Sequence, residues 1–198
     1  MIMLDKNPSG CSVYVALLHH SMRDKNGAVV TTAVTNLDIH DIARSCRTFG
    51  VKRYFLVNPL EEQQSVVNRI IGHWQEGGGR EYNPDRAEAF GRVKIVSWFK
   101  EAITEIERME GQKPVVWMTT ARCPEGMKSK RWSEARVSLS EGKPTLLVFG
   151  TGWGMTEELL REGDSVLDPI EPAEESGYNH LSVRSAVAIA LDRLLGKI

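Results

Sequence analysis

The chain has 198 residues, 41% hydrophobic and 26% charged, with 25 Lys and Arg against 26 Asp and Glu. Length and composition fit one globular domain over residues 1–198 and exclude disordered, collagenous and disulfide-stapled classes. A formal net charge of −1, taken alone, argues mildly against a nucleic-acid partner.

Met1–Gly10 is polar, with no apolar segment of signal-peptide type. No apolar run approaches the roughly 20 residues that a membrane span needs. Cys11, Cys46 and Cys123 are widely spaced without a CxxC, as expected of reduced thiols. The expectation is therefore a cytoplasmic protein with no membrane partner. Short β-branched runs alternate with helical stretches, which predicts an α/β fold: a mostly parallel sheet flanked by helices.

Strands are predicted at Ser12–Leu18, Arg53–Val57, Val93–Val96, Val115–Met118, Thr145–Phe149 and Ser165–Leu167. Several are continuous apolar runs, as strands buried on both faces should be. Apolar stripes predict helices at Asp38–Phe49 (Ile39, Ile42, Ala43, Cys46, Phe49) and Ser182–Leu195 (Val183, Ala186, Val187, Ala190, Leu191, Leu194, Leu195). Gln64–Trp74 and Trp98–Met109 read as further helices. Glu76–Asp85, with Gly77, Gly78, Gly79 and Pro84, reads as a loop, and Cys123–Lys130 as a flexible connection.

Four groupings can carry chemistry. On Asp38–Phe49, His40, Arg44 and Arg47 share the face opposite the apolar stripe, where they can hold a phosphate or steady a developing negative charge; a solvated helix face is the plain alternative. Thr119-Thr120-Ala121-Arg122 ends a strand, and residues 122–136 hold five basic and two acidic side chains around Trp132, a mixture that suits a polyanion with stacking bases. Gly150-Thr151-Gly152-Trp153-Gly154 follows another strand; it is either a close-approach loop for a ligand or a tight turn. Asn179-His180-Leu181-Ser182 stands at a helix start, where it either meets a ligand or caps the helix.

Other templates fail. The glycines space as GxGxG, not GxGxxG, and no GxxxxGK[ST] or GxSxG occurs. His19 and His20 are adjacent, and His73 and His180 lack partners at zinc spacing, so no metal site is expected. Cys123 stays open as a nucleophile, whereas Cys11 and Cys46 read as buried small hydrophobes.

In their order along the chain, these groupings resemble the SPOUT, or α/β-knot, superfamily of S-adenosylmethionine-dependent RNA methyltransferases, in particular a bacterial group related to the tRNA guanine methyltransferases. The first motif corresponds to Ala43-Arg44-Ser45-Cys46-Arg47-Thr48-Phe49-Gly50, and a Ser/Thr-Ala-Arg motif to Thr119-Thr120-Ala121-Arg122. The second corresponds to Leu147–Met155, and the third to Ile170-Glu171-Pro172 with His180-Leu181-Ser182-Val183.

The resemblance implies a C-terminal trefoil knot, a homodimer, an RNA partner (tRNA or rRNA) and S-adenosyl-L-methionine (SAM) as cofactor. SAM would be held by Thr119, Thr120, Ala121, Gly150, Thr151, Gly152, Trp153, Gly154, Ile170, His180, Leu181 and Ser182. Arg44 is the implied catalytic cation, with His40, Asp38 or His180 as a base. His40, Arg47, Arg122, Lys128, Lys130 and Arg131 are expected to meet RNA. The chain departs from the superfamily at Asp38, His180 and Ser182, where many ribose methyltransferases carry Asn, Ser and Asn. Two other readings stay open: a knotted RNA-binding module without transfer, and a nucleotide-dependent metabolic enzyme using the glycine loop. The charge distribution sharpens the first impression, because residues 157–175 carry a net −7 and the remainder therefore +6.

Overall fold

The computed structural model describes residues 11–173 and 178–197; the polar N-terminal segment lies outside the described residues, as do Glu174 and Glu175 of the acidic stretch. In chain order the elements are β1 (Val13–Leu18), β2 (Met22–Arg23), β3 (Val29–Val30), α1 (Asn36–Thr48), β4 (Arg53–Val57) and α2 (Glu61–Gln75). Next come α3 (Gly78–Tyr82), α4 (Pro84–Phe90), β5 (Val93–Val96), α5 (Phe99–Glu110), β6 (Val115–Met118) and β7 (Ser129–Lys130). The last are α6 (Trp132–Leu139), β8 (Thr145–Gly150), α7 (Glu157–Leu160), β9 (Ser165–Leu167) and α8 (Val183–Leu195).

Seven strands make one sheet in the order β5-β4-β1-β8-β6-β9-β7, and every neighbouring pair is parallel. The central strands β1 and β8 are apolar throughout because both of their faces are covered. Val13, Val15 and Leu17 point to one face, where Ile39, Ile42 and Cys46 of α1 and Val187, Ala190, Leu191 and Leu194 of α8 close the core. Tyr14, Ala16 and Leu18 point to the other, against Phe99, Ala102 and Ile106 of α5 and Leu159 and Leu160 of α7. Cys11 and Cys46 are buried as expected of small apolar groups.

Strand order reverses between β1 and β8. The crevice outside the carboxyl ends of such strands is where open α/β sheets take ligands, and the functional candidates gather there.

The structure differs from the sequence reading in three places. The stretch read as a loop at 76–85 contains α3, and α4 begins there with Asn83 as N-cap and Pro84 in the first turn. Gly79 packs so closely on Trp74 that an added Cβ would lie 2.8 Å from the ring, so a glycine-rich run here serves helix packing. The segment after β1 holds a short antiparallel hairpin, β2 with β3, whose turn uses Asn26 and Gly27 with Asp24 Oδ1 accepting from the Asn26 and Ala28 amides. Finally, Cys123–Lys130, read as a flexible connection, ends in the edge strand β7 beside β9.

Candidate active site

Helix α1 starts where the sequence provides a cap. Thr35 Oγ1 accepts from the Asp38 amide at 3.2 Å and donates to Asp38 Oδ2 at 2.6 Å. Asp38 is buried, and its other oxygen accepts from Arg184 Nη1 at 2.8 Å; Arg184 Nε also lies 3.5 Å from Asp41 Oδ2. This buried ion pair ties the start of α1 to the start of α8. It also removes Asp38 as a base, because both its oxygens are engaged.

The basic face of α1 divides. Arg47 Nε pairs with Glu88 Oε1 at 2.7 Å, a half-exposed pair that links α1 to α4. His40 packs edge-on to Phe90 (4.7 Å between ring centres) and Trp74 (5.5 Å). Burial holds its pKa below the usual histidine range, and the Arg86 charge adds to this. Arg44 is exposed and has no ion pair or hydrogen bond among the described residues.

The glycine loop after β8 is anchored on the hairpin. The Trp153 amide donates to the Arg23 carbonyl at 3.3 Å and the Arg23 amide to Gly154 at 2.8 Å, while the Gly154 amide donates to Thr151 at 3.0 Å. The Thr151 amide meets Met22 Sδ at 3.3 Å. Most of the loop's N–H groups are thus satisfied internally and do not form the open anion cradle that its glycines suggested. Two glycines here answer to conformation: Gly152 and Gly154 have φ of +60° and +95°. Gly150 answers to space, since a Cβ there would lie 2.7 Å from Met155 Cγ. Trp153 is left largely exposed at the tip.

Behind this loop sits a polar cluster that sequence reasoning missed. Thr151 Oγ1 donates to the Leu18 carbonyl at 3.1 Å, Thr32 Oγ1 lies 2.5 Å from Thr151 Oγ1, and His19 Nδ1 lies 3.0 Å from Thr32 Oγ1. Each hydroxyl has one proton to give. Thr151 gives its proton to Leu18, so Thr32 gives to Thr151, and His19 donates through Nδ1–H. Its Nε2 then bears the lone pair; it is buried and meets no hydrogen-bonding group of the described residues. Burial pushes the His19 pKa down to about 4, partly opposed by the Asp38 carboxylate. Adjacency to His20 had marked His19 only as a poor chelator. The alternation of β1, which sends odd-numbered residues toward α1, is the signal that would have placed it inside.

On the other side of β8, Thr119 donates through both its amide (3.0 Å) and its hydroxyl (2.8 Å) to the Val148 carbonyl. Asn179 Nδ2 donates to the Ala121 carbonyl at 3.0 Å, which brings the segment before α8 onto the loop after β6. Ser182 caps α8, its Oγ accepting from the Ser185 amide at 3.2 Å. Ile170 is half-buried, while His180 and Leu181 are exposed, with the His180 ring 5.2 Å from Tyr178. The loops expected to act together therefore do lie at one sheet edge, with the glycine loop turned toward the hairpin.

Several cations of the 122–136 segment have partners within the protein. Lys130 Nζ donates to Ser138 Oγ at 2.7 Å and lies over the Trp117 ring. Arg131 pairs with Glu134 of its own helix at 2.5 Å, and Arg136 donates to the Arg193 and Gly196 carbonyls at the end of α8. Arg122 and Lys128 are exposed with side chains unengaged among the described residues. Those residues contain no cluster of His, Cys, Asp or Glu able to hold a metal, and no helix of theirs is long and apolar enough to cross a membrane.

Solved structures share this fold, a parallel sheet with its loops gathered at the carboxyl edge. A methylase family protein from Neisseria gonorrhoeae has it, with a TM-score of 0.63 at 15% identity, covering 99% of this chain and 87% of that one. So does the SpoU methyltransferase AviRb from Streptomyces viridochromogenes, solved in complex with AdoMet (TM-score 0.54, 13% identity, 94% and 60% of the two chains).

By sequence the chain belongs to a family of SAM-dependent RNA methyltransferases, whose profile matches residues 12–196. It is 44% identical over 195 residues to a tRNA (guanine-N(1)-)-methyltransferase of Nitratidesulfovibrio vulgaris, covering 98% of this chain and 44% of that protein. The chain thus spans less than half the length of that relative.

Proposed function

We propose that this chain methylates a nucleotide of tRNA or rRNA, at a base nitrogen or a ribose 2′-oxygen, as a cytoplasmic homodimer whose single domain closes in a C-terminal trefoil knot. The observation that carries the reading is the meeting of the motif-bearing loops at one sheet edge, fastened by Asn179 on Ala121. The name of the N. vulgaris relative favours tRNA.

The residues there suit SAM. Thr119, Thr120, Ala121, Gly150, Thr151, Gly152 and Gly154 form the loops after β6 and β8, whose shape is fixed by hydrogen bonds within the protein, and Trp153, Ile170 and Leu181 offer apolar surface for a purine. His180 and Ser182 flank the same segment. When bound, SAM supplies an electrophilic methyl group on a sulfonium, so the protein's task is positioning and exclusion of water. Arg44, exposed and unpaired, stabilises negative charge that develops on the acceptor atom as its proton leaves. Asp38 is occupied by Arg184 and His40 is wedged between aromatic rings, which leaves His180 as the open candidate to take that proton.

Calorimetry with SAM should give saturable binding to the full chain; no heat at millimolar cofactor refutes the reading. Labelled methyl transfer to bulk RNA from a strain lacking this protein, followed by nucleoside digestion, should yield a single labelled nucleoside. SAM binding without RNA labelling would show the transfer assignment to be wrong. Sedimentation at tens of micromolar should give a dimer.

A further inference from the structure

We propose that Arg44 and Arg86 together seat a backbone phosphate of the RNA substrate, on a floor formed by Trp74. The proposal rests on the RNA methyltransferase reading and extends the RNA path from α1 onto α2 and α4, a region to which no sequence motif pointed.

Three basic side chains and one acidic one bear on His40. Its imidazole lies between Phe90 of α4 and Trp74 of α2, and the charges that bear on it are those of Arg86, Arg44, His73 and Asp41. The Arg86 guanidinium lies 4.8 Å above the Trp74 ring, which attracts it through its negative face. Its Nε is buried and meets no acceptor, and among the described residues neither Arg86 nor Arg44 has an ion pair.

Two neighbouring carboxylates are already engaged. Glu88 pairs with Arg47, and Asp41 lies against Arg184, which also holds Asp38. Arg86 lies on the Trp74 ring with a buried donor unsatisfied, and Arg44 follows by one helical turn the His40 that touches the same ring, so two like charges without carboxylate partners flank it. An anion from outside the chain resolves both costs. The planar, fixed donors of arginine match phosphate oxygens, and a phosphodiester carries the single charge this site lacks. Arg44 is also the cation proposed for the transfer step, so the phosphate it shares with Arg86 belongs to a nucleotide close to the modified one.

The test uses the full chain and an unmodified tRNA transcript, with binding read by fluorescence anisotropy from 50 to 300 mM salt. Arg86→Gln should weaken binding by about tenfold at 100 mM salt. It should also flatten the slope of log affinity against log salt by about 0.7–0.9, the loss of one phosphate contact. SAM affinity by calorimetry should not move. Arg86→Lys, which keeps the charge and gives up the fork, should retain the slope and recover part of the affinity. It also serves as the folded control if the glutamine variant does not fold.

Unchanged affinity and slope in folded Arg86→Gln overturn the phosphate seat. So does dissociation of the oligomer in that variant, which would assign the patch to a subunit boundary. If wild-type protein binds SAM but neither binds nor methylates RNA, the functional reading itself fails. Wild-type RNA binding beside an unaltered variant removes the seat alone.

Discussion

Replacing His19 with asparagine should make the stability of this protein less sensitive to acid. The asparagine amide can still donate to Thr32 Oγ1, as Nδ1–H does, but it has nothing to titrate. In the wild type, burial lowers the His19 pKa from 6.5 to about 4. The unfolded chain then takes up a proton as pH drops below 6.5, while the folded protein resists until about 4. Stability that is complete at neutral pH is lost across that window. With those two pKa values the loss is about 2 kcal/mol by pH 5 and about 3 kcal/mol by pH 4. Carboxylates titrate alike in both proteins and cancel in the comparison. Urea unfolding at pH 7, 6, 5 and 4 should therefore give two curves that converge toward low pH, whatever packing the asparagine gives up at pH 7. Parallel curves would show that His19 is not buried as a neutral imidazole. The same assignment predicts a proton on Nδ1 and none on Nε2 at pH 7, which nitrogen chemical shifts of the imidazole would reveal.

Other substitutions probe the remaining claims. Arg44→Ala should leave SAM affinity within about twofold and cut methyl transfer by roughly 10²–10³-fold, as removal of a charge-stabilising donor does; lost SAM binding in a folded variant would mean Arg44 holds the cofactor instead. Arg184→Met leaves the Asp38 carboxylate buried with Thr35 alone and should cost about 2–3 kcal/mol in urea unfolding, part of it recovered by adding Asp38→Asn. Gly150→Ala pushes a methyl group into Met155 and Met22, so a loss of about 1–2 kcal/mol is expected, softened by the pliancy of methionine. An unchanged melting temperature there would mean the glycine loop is looser than its contacts indicate.

Strands β4, β5 and β6 could be read to their end residues because β-branched and aromatic residues dominate them, without a break in β6 and with one charged residue each in β4 (Arg53) and β5 (Lys94). The hairpin β2–β3 could not, since two-residue strands have no period to detect, although Asn26-Gly27 was a visible turn signal. Helix α3 was hidden by glycines that usually mark loops and here admit Trp74. The site was legible as a set of motifs and illegible as a set of partners. Asp38 and Arg184 are 146 residues apart, and no local pattern says that one neutralises the other. Likewise Arg47, Lys130 and Arg136 look like RNA ligands by charge, yet Glu88, Ser138 and the α8 carbonyls claim them. Charge is a property of composition, whereas its availability depends on neighbours that only the tertiary fold supplies.

The place of β8 in the sheet constrains how the chain can assemble. Strand β6 precedes it in sequence, yet both neighbours of β6, β8 and β9, come later. Until Thr145–Gly150 inserts, β1, β4 and β5 can pair with one another while β6 has no partner at all. While the chain is being made, the sheet can therefore form only as a fragment and a waiting strand, and β8 is the strand that hydrogen-bonds to both at once. Such late, long-range closure slows folding and leaves two apolar edges open in the meantime. A chain cut before residue 145 would lack a continuous sheet as well as its glycine loop, and during synthesis those exposed edges are where a chaperone would find its purchase.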